Sequence, residues 1–410
     1  MDTTPVISFN NTEYAFAYKK DEDLKKAQFL FSIMGTQWLV NLGLKLTPIA
    51  MKWKLPFTNT IIRKTIFRQF VGGETLAETA TVVKKLGEYN VQVILDYGVE
   101  GGDDGEHGFD HATEEFIRVI NYAATQSNIP FMSIKVTGFS RFALLEKIDV
   151  LMQQKAGTLM KRYLTALELL PQSEKEEWQR VQGRMIRICQ TAGEKKVGVL
   201  VDAEETWIQG PVDALTIMMM DTLNKGGVTV YNTLQLYRTD RLQFLRDSYE
   251  AAAERNFILG AKLVRGAYME NERKRAADMN YPSPIQPDKE ACDKDYNAAV
   301  EFCIDHLDKI AVIVASHNDS SNLLATQLLD KKGLPHHHPH VHFSQLYGMS
   351  DNITFNLAKS GCSVSKYLPF GPIKDVIPYL MRRAEENSSM SGQTGRELSL
   401  IKKEIKRREM

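Results

Sequence analysis

Tyr379, Arg382, Arg383 and Glu386 stand at i, i+3, i+4 and i+7 in the run YLMRRAEE. At about 100° per residue a helix brings all four onto one face. Two neighbouring guanidiniums form a rigid planar receptor for a carboxylate or a phosphate, and Glu386 follows at ion-pair spacing to hold them. A solvated helix face with ordinary Arg–Glu pairs reads the same way. Gly371 and Pro372 punctuate the chain just before this run, and proline suits a first helical position, where its missing N–H is no loss. Pro378 lies inside the helix.

The elements that must position these residues follow from the rest of the pattern. From about residue 90 onward, short apolar runs alternate with helix-length amphipathic segments: 91–96, 131–136, 197–202, 228–235, 258–265, 311–316, 340–345 and 363–368. Repeated β–α alternation implies a parallel sheet, and eight units in some 300 residues match a (β/α)8 barrel. A doubly wound open sheet is the alternative, disfavoured because no G-x-G-x-x-G follows the first run. Ahead of the barrel, residues 20–87 read as helical.

In such a barrel the chemistry sits where the strands end. Polar residues gather there: Lys135, Asp202 with Glu204 and Glu205, Gln235, Lys262 with Arg265 and Tyr268, Ser316, His317 and Asn318, Gln345, and Tyr367. Any one could be a satisfied core polar group. Together they outline a pocket with several cations, no metal-ligand set and no nucleophile elbow. Such a site takes its chemistry from a cofactor. A phosphorylated substrate on the cation cluster, or a catalytically silent barrel that binds partners through its helical arms, are the competing readings.

The 51 basic and 51 acidic residues of this 410-residue chain cancel, so no global charge points to nucleic acid. Four scattered cysteines without a C-x-x-C pair suit a reducing compartment. Residues 28–52 are the most hydrophobic stretch, but Gln28, Gln37, Asn41, Lys45 and Pro48 interrupt it. A buried helix is expected there, with a membrane-surface helix as the alternative. The tail 396–410 reads as a basic amphipathic helix, packed on the barrel or lying on a membrane. The acidic, glycine-rich 99–108 reads as a solvated loop without calcium-loop spacing, and the histidine run 335–342 as a polar loop leading into a strand. The first residues carry no signal- or transit-peptide pattern, so the expected location is cytoplasmic, with a possible peripheral contact on the inner membrane.

Six separated motifs, AKLVRGAYM (261–269), VDAEE (201–205), ASHN (315–318), FSQLYGM (343–349), KYLPFGP (366–372) and YLMRRAEENSS (379–389), resemble those of proline dehydrogenase, also called proline oxidase. The likeness covers roughly residues 70–400. It is stronger to the single-function, mitochondrial-type enzymes than to the bifunctional bacterial proteins, as segment 281–297 and the ENSS sequence suggest. It implies a distorted, TIM-like (β/α)8 barrel of class α/β, with the last helix over the barrel mouth. The expected divisions are an N-terminal helical arm (1–87), an FAD-binding barrel (88–390) and a basic C-terminal helix (391–410). The implied reaction is FAD-dependent oxidation of L-proline to Δ1-pyrroline-5-carboxylate, with hydride passing to flavin N5 and electrons to a membrane quinone, and no metal. By the same likeness Arg382 and Arg383, with Glu386 beside them, clamp the proline carboxylate and Lys135 adds a third cation. Tyr268, Leu346, Tyr367 and Tyr379 wall the ring, and Asp202 orders the site beside the flavin. Gln235, Lys262, Val264, Ser316, His317 and Asn318 hold FAD, as does Asp202. Lys262 departs from the arginine of the bifunctional relatives and offers a point charge in place of a planar fork.

Overall fold

The computed structural model describes residues 7–53, 57–98, 105–389 and 391–409. Residues 99–104 of the expected acidic loop therefore lie outside the described residues. So do residues 1–6, on which part of the leader-peptide expectation falls.

Eight parallel strands pair in sequence order and close into a barrel. They are β1 (Gln92–Tyr97), β2 (Phe131–Ile134), β3 (Gly198–Val201), β4 (Val230–Gln235), β5 (Leu259–Val264), β6 (Ile310–Ala315), β7 (Val341–Leu346) and β8 (Val364–Phe370). Nearly every strand residue is buried, as expected of a parallel sheet covered on both faces. The open-sheet alternative is thereby excluded. Gly260 shows how tightly the strands approach, because a Cβ there would stand 2.2 Å from the Val230 carbonyl oxygen.

The chain divides into two compact units. One comprises residues 99–316 and 327–342. Its strands run in register from β2 to β6, with Ile134 opposite Val201, Val201 opposite Asn232, and Thr233 opposite Lys262. Its first helix begins at Gly105, so the expected loop ends earlier than residue 108. The cause lies far along the chain: Arg184, itself buried, binds Glu106 and Asp110, and Arg180 binds Glu106 at 3.0 Å. In the histidine run, His336 pairs with Asp330 at 2.8 Å, and the His340 ring meets the Leu307 carbonyl at 2.6 Å.

The other unit joins the N-terminal segment up to Gly98 with His317–Thr326 and everything from Phe343. Three helices frame it: the arm helix (Gln37–Lys52), the arginine helix (Ile373–Ser389) and the terminal helix (Ser391–Glu409). Phe16, Phe31, Phe70, Met349, Val376, Leu380 and Ile401 share one core. The terminal helix is held inward: Arg407 and Arg408 pair with Glu404, and Arg408 donates to the carbonyls of Phe16 and Lys19. The arm helix departs from the expected burial. Val40 is buried, but Trp38, Leu42, Leu46, Ile49 and Trp53 are exposed.

A charged network fixes β7 and β8 in this unit. Asp351, 2% exposed, accepts from Tyr18 Oη at 2.8 Å and pairs with Lys19 at 3.0 Å and Lys366 at 2.9 Å. Glu397 reaches the Ser350 amide beside it. Burial, with Asp351 nearby, pushes the Glu397 carboxyl from 4.5 up to about 7. A carboxyl raised in the folded state binds its proton more tightly there, so lowering pH from 8 to 5 should stabilise the protein. The gain is on the order of 3 kcal/mol. Glu397→Gln should remove most of this gain in urea unfolding at the two pH values, leaving the smaller part due to Asp149, whose carboxyl burial raises to about 6. An unchanged gain would rule Glu397 out as a source.

Candidate active site

In the unit of residues 99–316 and 327–342, the ends of β2 to β5 carry a buried polar layer. The Asp202 carboxylate accepts from Lys262 Nζ at 2.6 Å and faces Lys135 Nζ at 3.8 Å. Asp202 follows β3 and Lys262 is on β5, so an ion pair reaching across β4 requires both side chains to point inward. Thr233, the register partner of Lys262, shares that face and is buried. Its Oγ has no hydrogen-bond partner among the described residues.

Two residues further on, Gln235 donates to the Glu204 carbonyl at 2.6 Å and to Tyr237 Oη at 2.8 Å. The Glu204 carboxylate accepts from Thr137 Oγ at 2.9 Å. The backbone after β5 turns through positive φ at Gly266 and Ala267 before buried Tyr268. Arg265 stacks on Tyr296 at 4.0 Å and pairs with Asp293 at 3.1 Å. Val264 is half-buried and Ser316 is buried.

In the other unit, the arginine helix presents the four residues that its periodicity placed together. Arg383 is buried and pairs with Glu386 at 2.6 Å, and its guanidinium lies 5.1 Å from the centre of the Tyr379 ring. Arg382 and Glu386 are half-buried. Tyr379 is buried with its hydroxyl lacking a partner among the described residues, and burial pushes it up to about 12. A buried phenol left unbonded is unfavourable unless a ligand completes it. Tyr367 is buried on β8, and Leu346 ends β7 half-buried.

His317 joins this group. Its Nδ1 meets Ser350 Oγ at 2.8 Å, and its Nε2 accepts the Leu346 N–H at 3.5 Å. Burial first, then the charges of Lys366 and Arg383, push it down to about 3, so the imidazole is neutral. Asn318 accepts the Ser321 amide at 3.2 Å, as a helix N-cap does. Sequence reasoning missed Thr137, Thr233 and the Tyr18–Lys19–Asp351–Lys366 network. Thr233 was legible as the residue two before Gln235 on the same strand face, and Lys366 as a charge inside an apolar run.

Residues 79–396 match the family model described as proline dehydrogenase. The chain belongs to the proline dehydrogenase family. A Dictyostelium discoideum protein named proline dehydrogenase 1, mitochondrial, is 33% identical over 85% of this chain and 66% of its own length. The Pectobacterium carotovorum carbapenem antibiotics biosynthesis protein CarD is 35% identical over 83% of each chain. A Xenopus laevis hydroxyproline dehydrogenase is 30% identical over 85% of this chain and 78% of its own. Among solved structures, a Bdellovibrio bacteriovorus proline utilization A matches with a TM-score of 0.72 at 18% identity. That match covers 92% of this chain and 41% of the other, and it supports the proline dehydrogenase barrel as a fold.

The expectation of a cytoplasmic location does not stand. The Dictyostelium relative is named mitochondrial, as are others from animals and plants, and the first residues of this chain cannot outweigh that. No described helix is long and apolar enough to cross a membrane.

The residues present fit the flavin that the family implies. A buried layer of two ammonium groups paired with a carboxylate, next to a Thr233 hydroxyl that has no hydrogen-bond partner among the described residues, suits a ligand rich in carbonyl, imide and hydroxyl groups, and would reject an apolar one.

Proposed function

We propose that the protein oxidises L-proline to Δ1-pyrroline-5-carboxylate using non-covalent FAD, in a barrel of residues 88–390 preceded by the arm 1–87 and followed by the helix 391–410. The observation that carries this reading is the buried Arg383–Glu386–Tyr379 group, with its unbonded phenol, within the segment that matches the family.

Arg382 and Arg383 bind the carboxylate, which could not be buried unpaired, and Lys135 supports them. Tyr268, Leu346, Tyr367 and Tyr379 enclose the ring, exclude water and hold its reactive carbon in one orientation. Asp202 fixes the Lys262 ammonium, and Gln235, Val264, Ser316, His317 and Asn318 complete the flavin contacts. When bound, the flavin would supply a hydride acceptor, the Lys262 and Lys135 ammonium groups would favour negative charge on it, and a membrane quinone would be the final electron acceptor. Proline entering with a neutral amine needs no protein base, so kcat/KM should rise with pH. The neutral His317 contributes no step of its own near neutrality.

The deciding experiment is anaerobic addition of L-proline to the purified, FAD-loaded protein. Bleaching of the flavin colour is expected. A bound flavin that L-proline leaves oxidised would defeat the proposal, as would failure to hold FAD at all.

Ring specificity gives a second test. Tyr367 is buried in the middle of β8, and in this reading it packs against the ring edge where 4-hydroxyproline carries its extra oxygen. An unpaired buried hydroxyl costs about 1–3 kcal/mol, so proline should be preferred by roughly 10- to 150-fold in kcat/KM. Tyr367→Ser should narrow that preference. Equal efficiency in the parent enzyme would defeat the specificity claim, and a Ser variant with unchanged preference would take the cause away from Tyr367.

A further inference from the structure

A cavity of about 1200 Å³ lies inside the unit that holds the arm and arginine helices. Leu39, Val40 and Leu44 of the arm helix form one wall, and Ile377, Leu380 and Met381 of the arginine helix form another. The second wall is the reverse face of the helix whose front carries Arg383. The volume exceeds the ~300–1,000 Å³ of ordinary small-molecule sites.

The arm helix is apolar on two sides. Its cavity side is described above, and its opposite side is the exposed stripe Trp38, Leu42, Leu46, Ile49 and Trp53. Exposed tryptophans flanking such a stripe are the side chains that favour a membrane interface. The charge agrees: residues 24–73 contain eight lysines and arginines and no acid, in a chain whose acids and bases balance overall. The two acids that line the cavity just before this stretch, Glu22 and Asp23, are taken up by Lys26 and Arg68. Lys25 and Lys64 line the cavity and are exposed, with no carboxylate partner among the described residues.

We propose that this cavity takes the acyl chain of an anionic membrane lipid. The outer stripe of the arm helix rests in the bilayer surface, the basic residues meet the lipid phosphate, and the chain enters between the arm and arginine helices. Apolar lining accounts for the chain, and the acid-free basic stretch accounts for the headgroup.

Gly43 supplies the test, because it lines the cavity and a Cβ added there meets nothing within 4 Å. Gly43→Trp therefore projects a ring into the space without a clash at its Cβ. The full-length, flavin-loaded protein is titrated with cis-parinaric acid as a fluorescent chain. It is separately sedimented with vesicles of phosphatidylcholine alone or mixed with phosphatidylglycerol. Saturable parinarate binding and a preference for the mixed vesicles are expected. Gly43→Trp should weaken parinarate binding at least about tenfold while still sedimenting with mixed vesicles. The double variant Lys25→Glu/Lys64→Glu should lose the preference for mixed vesicles. Parinarate binding that does not saturate, or that Gly43→Trp leaves unchanged, overturns the cavity as the site. Equal binding to both vesicle types by the parent overturns the anionic lipid. None of these readings uses proline, so they stand or fall separately from the proposed reaction.

Discussion

Arg383→Met should raise the KM for L-proline by roughly 30- to 4,000-fold while FAD stays bound. Removing one partner of a buried charge pair costs about 2–5 kcal/mol, which sets that range. Arg383 is 5% exposed and already holds Glu386 and the Tyr379 ring, so its position is fixed before substrate arrives. Methionine keeps much of the stem volume and removes the planar donors. Arg382→Met should fall at the lower end, because Arg382 is half-buried and water can partly replace it. Glu386 gives an independent reading. Burial raises its carboxyl and Arg383 opposes that rise, so the Arg383 variant should leave Glu386 more readily protonated. The measurements are steady-state KM and flavin content for each variant. Near-normal KM in both would remove the carboxylate clamp and leave the helix face as a structural feature.

The barrel was legible because its signal is local. Each strand is a short apolar run ended by a polar residue, and all eight fall within a few residues of their expected places. The shared face of Tyr379, Arg383 and Glu386 was legible for the same reason, since helical spacing alone brings them together. What the pattern hid depends on distant partners or on the outside of the fold. Asp351 reads as an ordinary acid in a first helical turn, and nothing nearby announces that Tyr18 and Lys19 reach it across more than 330 residues. The helix start at Gly105 was masked by its glycines and acids, whose arginine partners lie more than seventy residues on. Residues 28–52 misled because apolar composition cannot distinguish a helix buried on both faces from one with an uncovered side. Lys366 was the missed clue. A lysine in the middle of SVSKYL is intolerable without a buried anion, and that anion is Asp351.

Asp351→Ala should therefore be among the most destabilising single changes in the molecule, costing about 3–5 kcal/mol. Lys366 is 0% exposed, and without Asp351 its direct partners are the carbonyls of Met349 and Leu346, which cannot neutralise its charge, while Glu397 acts on it only at longer range, without a direct ion pair. Lys19 and the Tyr18 hydroxyl lose the same acceptor. The change should also alter the acid limb of stability. Lys19 and Lys366 overcome the effect of burial and hold the Asp351 carboxyl at about 2, below the usual 3.8. A depressed carboxyl stabilises the folded state above the unfolded pKa, and that stability is lost as pH falls from about 4 toward 2. The alanine variant lacks this term, so its unfolding free energy should fall less steeply across that window. Lys366→Met should be destabilising alone, yet the double variant should be less unstable than the two single effects combined, since neither buried charge of the pair is then left facing an empty position. Urea unfolding of the parent, both single variants and the double variant gives the full cycle. Strict additivity would mean that Asp351 and Lys366 do not stabilise each other, and the network would then have no energetic role in holding β7 and β8.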